Sequence, residues 1–424
     1  MLPLRNVLIE RRETVQVDGA LGDWQAITIK FSGEVLPRER ADAFKGAMFA
    51  AYPGDLAFSK IDARNGAVGL IPESIPKAVV TSEYPVFTPK ADRLRAAYLH
   101  HLLRADHFKA DLQRKASGTS GRKRVTPEGF LDLEVPVPSL DEQDALIATY
   151  TEALARATKL EQEAETLERV GWQEFETALG AAPPVPLPDR PVFVARFKDV
   201  ERWSHEGVLR SALGTGFSAS TAAVEPLENA LLEVRHGCSK GPSKKTTSLR
   251  VLKISAVTKG HLELSEHKFI ADEEPLREQF SLKAGDILMC RTNGTLAYVG
   301  MSALVETDIT DTIFPDKVIR VRPDTDRIDS HFLWRLLQLP ALRTQIEAAA
   351  RTAVGNFAIG GKDIKALKAP LPLLSEQRQL VESLNNKIAT AQAKRTEAAT
   401  LRQSAWATFE AALFTATEET PECA

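Results

Sequence analysis

Cysteine is scarce in this chain. There are three in 424 residues, Cys238, Cys290 and Cys423. Few, odd in number and widely spaced, they argue against a disulfide framework or a zinc site and fit a reducing compartment, the cytoplasm. Long apolar runs are missing too. None approaches the roughly 18–20 residues that span a bilayer. The opening stretch, "MLPLRNVLIERRETVQ", meets charge within its first turns and so lacks the apolar segment of a signal peptide. An excess of one charge is also absent, since 54 basic residues against 57 acidic ones leave a formal net charge of −3. Segment by segment the balance is uneven: +3 over residues 1–135, −7 over 136–194, +3 over 195–369 and −2 over the remainder. Two mildly basic blocks alternate with acidic ones, which permits nucleic-acid binding without requiring it.

Catalytic constellations are lacking as well. "GNFAIGGKD" (Gly355 to Asp363) is one residue too long for a Walker A loop, and Asp363 stands where Ser or Thr is needed. "GTGF" (Gly214 to Phe217) is too short to signal a nucleotide fold. No Asn/Asp-Pro-Pro-aromatic run of the amino-methyltransferase kind occurs, nor a nuclease-like cluster of carboxylates and lysine. His100, His101 and His107 have no partner at metal-ligand spacing and read as structural. The expectation is a chain without catalytic residues, metal or cofactor of its own.

What the chain does contain is a repeat. "PVPSLDEQDAL" (Pro136 to Leu146) returns as "PLPLLSEQRQL" (Pro370 to Leu380), and "WQEFETALG" (Trp172 to Gly180) returns as "WATFEAALF" (Trp406 to Phe414), both at one and the same offset. Upstream, "PLRNVLIE" (Pro3 to Glu10) matches "PLENALLE" (Pro226 to Glu233), and "GDLAFSKIDARNG" (Gly54 to Gly66) matches "GDILMCRTNG" (Gly285 to Gly294), at smaller offsets. Register without insertion over more than forty residues suits a continuous helix, where one extra residue would turn every later side chain by about 100°. Leu146, Tyr150, Leu154, Ala157, Ala164, Leu167, Gly171, Phe175 and Leu179 follow steps of three and four, as do Leu380, Leu384, Ile388, Ala391, Ala398, Leu401, Ala405, Phe409 and Leu413. Each series predicts a long coiled-coil-like helix, entered at Pro138 or Pro372 and capped by Asp141 or Ser375.

The blocks ahead of these helices alternate short apolar runs with turn residues. In the first, "AITIKFSG", "GDLAFSKID", "AVGLIP" and "KAVVTSEYPVF" predict strands, and Ala96 to Ala116 predicts a helix. In the second, "RVLKISAV", "GDILMCR" and "VIRVRP" predict strands, and "HFLWRLLQLPALRTQIEAAA" predicts a helix broken near Pro340. The reading is α+β: two mixed α/β domains, 1–135 and 226–369, and two long helices, 136–180 and 370–414. A connector at 181–225 and a tail at 415–424 complete the division.

Several basic positions could meet DNA. Lys60, Arg64 and Asn65 follow the first Gly-Asp run, and Arg291, Thr292 and Asn293 follow the second. Arg and Lys donate to guanine or phosphate, Asn pairs with adenine, and Thr contacts phosphate or a thymine methyl. Arg122, Lys123 and Arg124 in "SGTSGRKR", and Lys240, Lys244 and Lys245 in "GCSKGPSKK", lie in glycine-rich cationic loops able to grip a phosphate backbone. The same residues also fit ordinary solvated turns.

Taken together, the doubled Pro-x-Pro…Glu-Gln stretch opening each long helix, with a Gly-Asp-aliphatic run in each preceding block, resembles the specificity subunits of Type I restriction–modification enzymes over nearly the whole chain. The resemblance implies a non-catalytic subunit with two target-recognition domains, each reading part of a split, asymmetric site in double-stranded DNA. It implies antiparallel packing of the two helices, related by a pseudo-twofold repeat, as a spacer. Partners would be two modification (methyltransferase) subunits with S-adenosylmethionine and two restriction (translocase–nuclease) subunits using ATP and Mg, with no membrane involved. The pairs Trp172/Phe175 and Trp406/Phe409 each share a helix face; they would either dock the paired modification subunits or pack the two helices together or onto the connector. A specificity module of another methyltransferase or phage-defence system, and a coiled-coil scaffold without DNA binding, remain as alternatives.

Overall fold

The computed structural model describes residues 1–16, 21–38, 47–116, 124–182, 216–353 and 355–415, with positions 189, 192, 194 and 208 between them. Most of the connector, the tail beyond 415, Arg122, Lys123 and Cys423 lie outside the described residues. The chain divides into two compact units: Met1–Gln162 with Lys394–Ala424, and Glu163–Ala393. Each unit therefore holds one globular domain, the start of that domain's own long helix and the end of the other.

In the first unit a strand at Leu2–Pro3 pairs antiparallel with Glu134–Val135. An antiparallel sheet follows, in the order Leu8–Arg11, Val86–Pro89, Leu56–Phe58, Val68–Leu70, and a second sheet runs Thr14–Val15, Met48–Ala51, Ala78–Thr81, Gln25–Ile29, Val35–Pro37. Alternating apolar side chains of the first sheet meet helices Ala96–Leu102 and Pro127–Leu131 around Phe58, Phe87 and Phe130, whose rings stack with Phe58 and Phe130 4.4 Å apart. The run "KAVVTSEYPVF" makes two strands in different sheets rather than one, because the chain turns where Tyr84 N donates to Thr81 O.

The second unit repeats this plan. Val224–Pro226 pairs with Lys368–Pro370. The main sheet runs Leu231–His236, Val318–Pro323, Ile287–Cys290, Ser302–Leu304, and a second runs His267–Ile270, Leu249–Leu252, Thr312–Ile313. Helices Ser330–Leu336, Pro340–Ala349 and Gly361–Lys365 follow Ala96–Leu102, Asp106–Lys115 and Pro127–Leu131 at the offset that relates Pro370 to Pro136. The constant offset thus begins well before the Pro-x-Pro stretch. The single helix expected over Ala96 to Ala116 is broken at Leu103–Ala105, the place where Pro340 enforces the break in the second unit. In the first unit Glu410 supports it by accepting from Asp106 N at 3.0 Å.

The long helices are Leu140–Ala178, 39 residues, and Leu374–Thr415, 42 residues. Their caps differ from the expected Asp141 and Ser375. Ser139 caps the first, exchanging hydrogen bonds with Glu142. The second starts after Leu373, whose N–H donates to Glu376. Serving the orphan N–H groups of the first turn is what matters, and the glutamate three positions on does this whether or not the cap residue has a hydroxyl. The helices pair antiparallel in both units. Arg402 bonds Glu161 and Arg156 lies near Glu397 in the first, while Lys387 bonds Glu174 in the second. Ala157, Ala164, Ala391 and Ala398 are fully buried along the seam. No helix among the described residues is long and apolar enough to cross a membrane.

Candidate nucleic-acid interface

Both domains place a basic residue at the same point of the fold. Lys60 follows strand Leu56–Phe58, its N–H donates to Glu83 O, and its carbonyl accepts from Val125 N. Arg291 follows strand Ile287–Cys290, its N–H donates to Lys317 O, and its carbonyl accepts from Ile359 N. Glu83 and Lys317 are related by the repeat's constant offset, as are Val125 and Ile359, so Lys60 and Arg291 sit on equivalent backbone.

The turn that delivers them is built by the Gly-Asp pair. Gly54 and Gly285 take φ of +84° and +89°, a region that disfavours other residues. Asp55 and Asp286, 2% and 1% exposed, each tie the turn to a neighbouring strand. Asp286 accepts from Lys283 N at 2.8 Å and from Arg322 Nε and Nη2 at 2.7 and 2.8 Å. Asp55 accepts from Tyr52 N, from Arg11 Nε at 2.7 Å and from Thr88 Oγ1 at 2.6 Å. The arginine comes from a different strand in each domain.

Around these anchors the side chains diverge. In the first domain Arg124 lies 3.3 Å from Glu83, so its charge is shared there. Arg64 is half-buried in the turn Ala63–Asn65, with no hydrogen-bond partner for its Nε among the described residues. Asn65 is exposed and donates weakly to Asp62. In the second domain Arg291 donates to Asp316 O at 3.0 Å and leaves its Nε without a partner among the described residues. Thr292–Asn293 joins a ribbon with Asn356–Ala358 and Arg351–Ala353. Asn293 Oδ1 accepts from Thr295 N, which shapes the loop as much as it offers a contact. The loop bearing Lys240, Lys244 and Lys245 runs beside this cluster, since Asp316 N donates to Cys238 O. Lys240 bonds Glu273, while Lys244 and Lys245 are exposed.

The structure adds residues that sequence reasoning passed over. Lys317, Thr352 and Asn356 are exposed on or beside the ribbon, and Arg351 is exposed while lying 3.4 Å from Asp363. His236 is held below its ordinary pKa by burial first and then by the charge of Arg291. The Gly355-Asn356 pair, a turn dipeptide ahead of "FAI", was the available hairpin signal.

The aromatic pairs on the long helices face inward. Phe175 is 1% exposed and meets Phe332 edge-on at 5.8 Å, and Phe409 is 3% exposed against Tyr98 at 6.2 Å. Trp172 and Trp406 are half-buried, Trp172 beside the Arg335 guanidinium and Trp406 beside Tyr150. Both phenylalanines bind the end of a long helix to the globular domain of their own unit and so are withdrawn from any partner surface. Of the expected docking residues, the two tryptophans keep some exposure.

Known proteins share this architecture. Over 299 residues the chain is 23% identical to the Type I restriction enzyme EcoKI specificity subunit of Escherichia coli K12, covering 70% of this chain and 59% of that one. Over 294 residues it is 21% identical to the StySPI specificity subunit of Salmonella potsdam, covering 69% and 58%. The chain thus spans less than two thirds of these relatives' own length. In fold it is similar to the HsdS subunit from Thermoanaerobacter tengcongensis, with a TM-score of 0.52 and 15% identity over 99% of this chain and 96% of that one. It is also similar to a chain solved in connection with complex assembly and conformational transition of the type I R-M system, with a TM-score of 0.57 and 16% identity over 99% and 97%. No protein-family model matches. The resemblance drawn from the doubled motifs stands: the curated relatives are Type I specificity subunits, and the fold is that of HsdS chains.

Proposed function

We propose that this chain is the DNA specificity subunit of a Type I restriction–modification enzyme, reading a split and asymmetric duplex target with its two unlike domains. It supplies no catalytic group. Two modification subunits carry S-adenosylmethionine, two restriction subunits use ATP and Mg, and the assembly works in the cytoplasm. One observation supports this reading above the rest. On equivalent backbone the first domain presents Lys60, Glu83 and Arg124, where the second presents Arg291, Lys317 and Ala358. One scaffold bearing two different sets of side chains suits one job performed on two different base sequences. Phosphate grip would come from the lysine loops and base selection from the residues after each Gly-Asp strand.

Mapping methylated bases in cells that carry this chain and its modification subunit tests the reading. The expected motif has two short unequal halves separated by a fixed unspecified spacer. A palindrome, or one continuous motif, overturns it.

A further inference from the structure

The repeat exposes one place where the two units differ in kind. "AYLHHLLRAD" (Ala97 to Asp106) and "HFLWRLLQLP" (His331 to Pro340) are equivalent stretches, related by the repeat's constant offset. In the second unit the spot is filled by side chains. Trp334 is 9% exposed and donates to Ser302 O, and the Arg335 guanidinium lies 4.1 Å from its ring centroid and donates to Asn385. Gln338 Nε2 closes the group on Trp334 O.

In the first unit His100, His101 and Arg104 replace those three residues and leave a cavity of about 430 Å³, which Phe31, Tyr150 and Trp406 also line. Arg104 fixes its guanidinium on three carbonyls, those of Ser32, Val68 and His100, and among the described residues no carboxylate pairs with it. The seat is specific. Gly33, at φ +80°, lies so close that a Cβ there would fall on the guanidinium itself. Three of the five guanidinium N–H groups are used, which leaves two to donate. His100 Nδ1 is buried and has no hydrogen-bond partner among the described residues. Burial, and then the charge of Arg104, lower His100 to about 3 and His101 to about 4, so both rings are neutral. Lys109 also borders the cavity but bonds Asp106 at 3.0 Å, so the uncompensated charge is that of Arg104.

A half-buried cation without an acid, beside aromatic faces, calls for an anion carrying a flat ring. The Trp334 indole shows that this part of the fold accepts such a ring. We propose that the cavity is a binding site for a free mononucleotide, with its base against Trp406 and Tyr150 and its phosphate at Arg104. Loss of base stacking or of the phosphate contact is each expected to weaken binding by about tenfold or more.

Calorimetric titration of the full chain with dAMP, adenosine and inorganic phosphate tests the site. Saturable binding of dAMP at one site per chain, with adenosine and phosphate each at least about tenfold weaker, supports it. The triple substitution H100W/H101R/R104Q copies the filled second unit and is expected to abolish binding while cooperative unfolding persists. Should that variant fail to fold, Phe31→Ala, which takes a third aromatic ring from the cavity wall at a 62% exposed position, is expected to weaken dAMP severalfold. Absence of dAMP binding at millimolar concentration, or unchanged binding in the variant that folds, overturns the proposal.

Discussion

Asp286 and Gln377 show what single side chains contribute here. Asp286 is buried with Arg322 folded onto it, so Asp286→Ala leaves the Lys283 N–H without an acceptor and the half-buried guanidinium with only Glu233, 3.9 Å away, as an acid partner. Unsatisfied groups of this kind cost about 1–3 kcal/mol, and chemical denaturation should show a loss of that order. Gln377, fully buried, donates to Arg327 O and Pro372 O and accepts from Asp329 N; Gln143 repeats this with Arg93 O, Pro138 O and Arg95 N. These glutamines latch each domain to the first turn of its helix. Gln143→Ala or Gln377→Ala should therefore destabilise by about 2–3 kcal/mol, through groups left unsatisfied. The sequence marked Gly-Asp and Glu-Gln as recurring stretches, and their position was legible. Their role was not, because every partner except the proline carbonyl is remote in sequence. A pH effect belongs at this scale too. His100 and His101 are neutral in the fold and titrate ordinarily when unfolded, so the unfolded chain binds more protons below about pH 6.5. Stability from this source is complete above that pH and is lost as pH falls toward 4, by at most ~1.4 kcal/mol per pH unit for each ring. Melting of the wild type should therefore fall faster between pH 6.5 and 5 than melting of H100W/H101R. Equal slopes would contradict this.

The two long helices were the most legible elements, because only a continuous helix readily keeps such a stripe in step without insertion over so great a length. What the stripe could not show is that four of its alanines are fully buried. Ala157, Ala164, Ala391 and Ala398 are 0% exposed, so the helices approach closely and the seam has no room for larger groups. Ala164→Leu or Ala391→Leu should overpack it, costing about 1–3 kcal/mol in denaturant titrations. An unchanged midpoint would mean that the seam is loose. The spacing of the Trp–Phe pairs names a shared face and leaves open what that face meets. Spacing identifies which residues share a face, while the phenylalanine contacts with Tyr98 and Phe332 come from another part of the chain. The broken helix at Leu103–Ala105 escaped notice for a related reason. Alanine at 105 favours a helix locally, and the support for the break comes from Glu410, far along the chain.

For the whole molecule, the consequence of duplication is that one change should alter one half of the function. The main sheets of the two domains share their strand order, and the domains differ at the residues after each Gly-Asp strand; among the described residues the hydrogen bonds of Arg291 and Asn293 all stay within the second domain. The decisive measurement is the methylation motif of cells carrying the modification subunit with either the wild-type chain or an Arg291→Ala/Asn293→Ala variant. Relaxed or altered base requirements confined to one half of a two-part motif, with the other half and the spacer unchanged, are what two independent readers predict. Altered requirements in both halves, or a motif identical to that of the wild type under dose-matched expression, would contradict the assignment of these residues to the second reader.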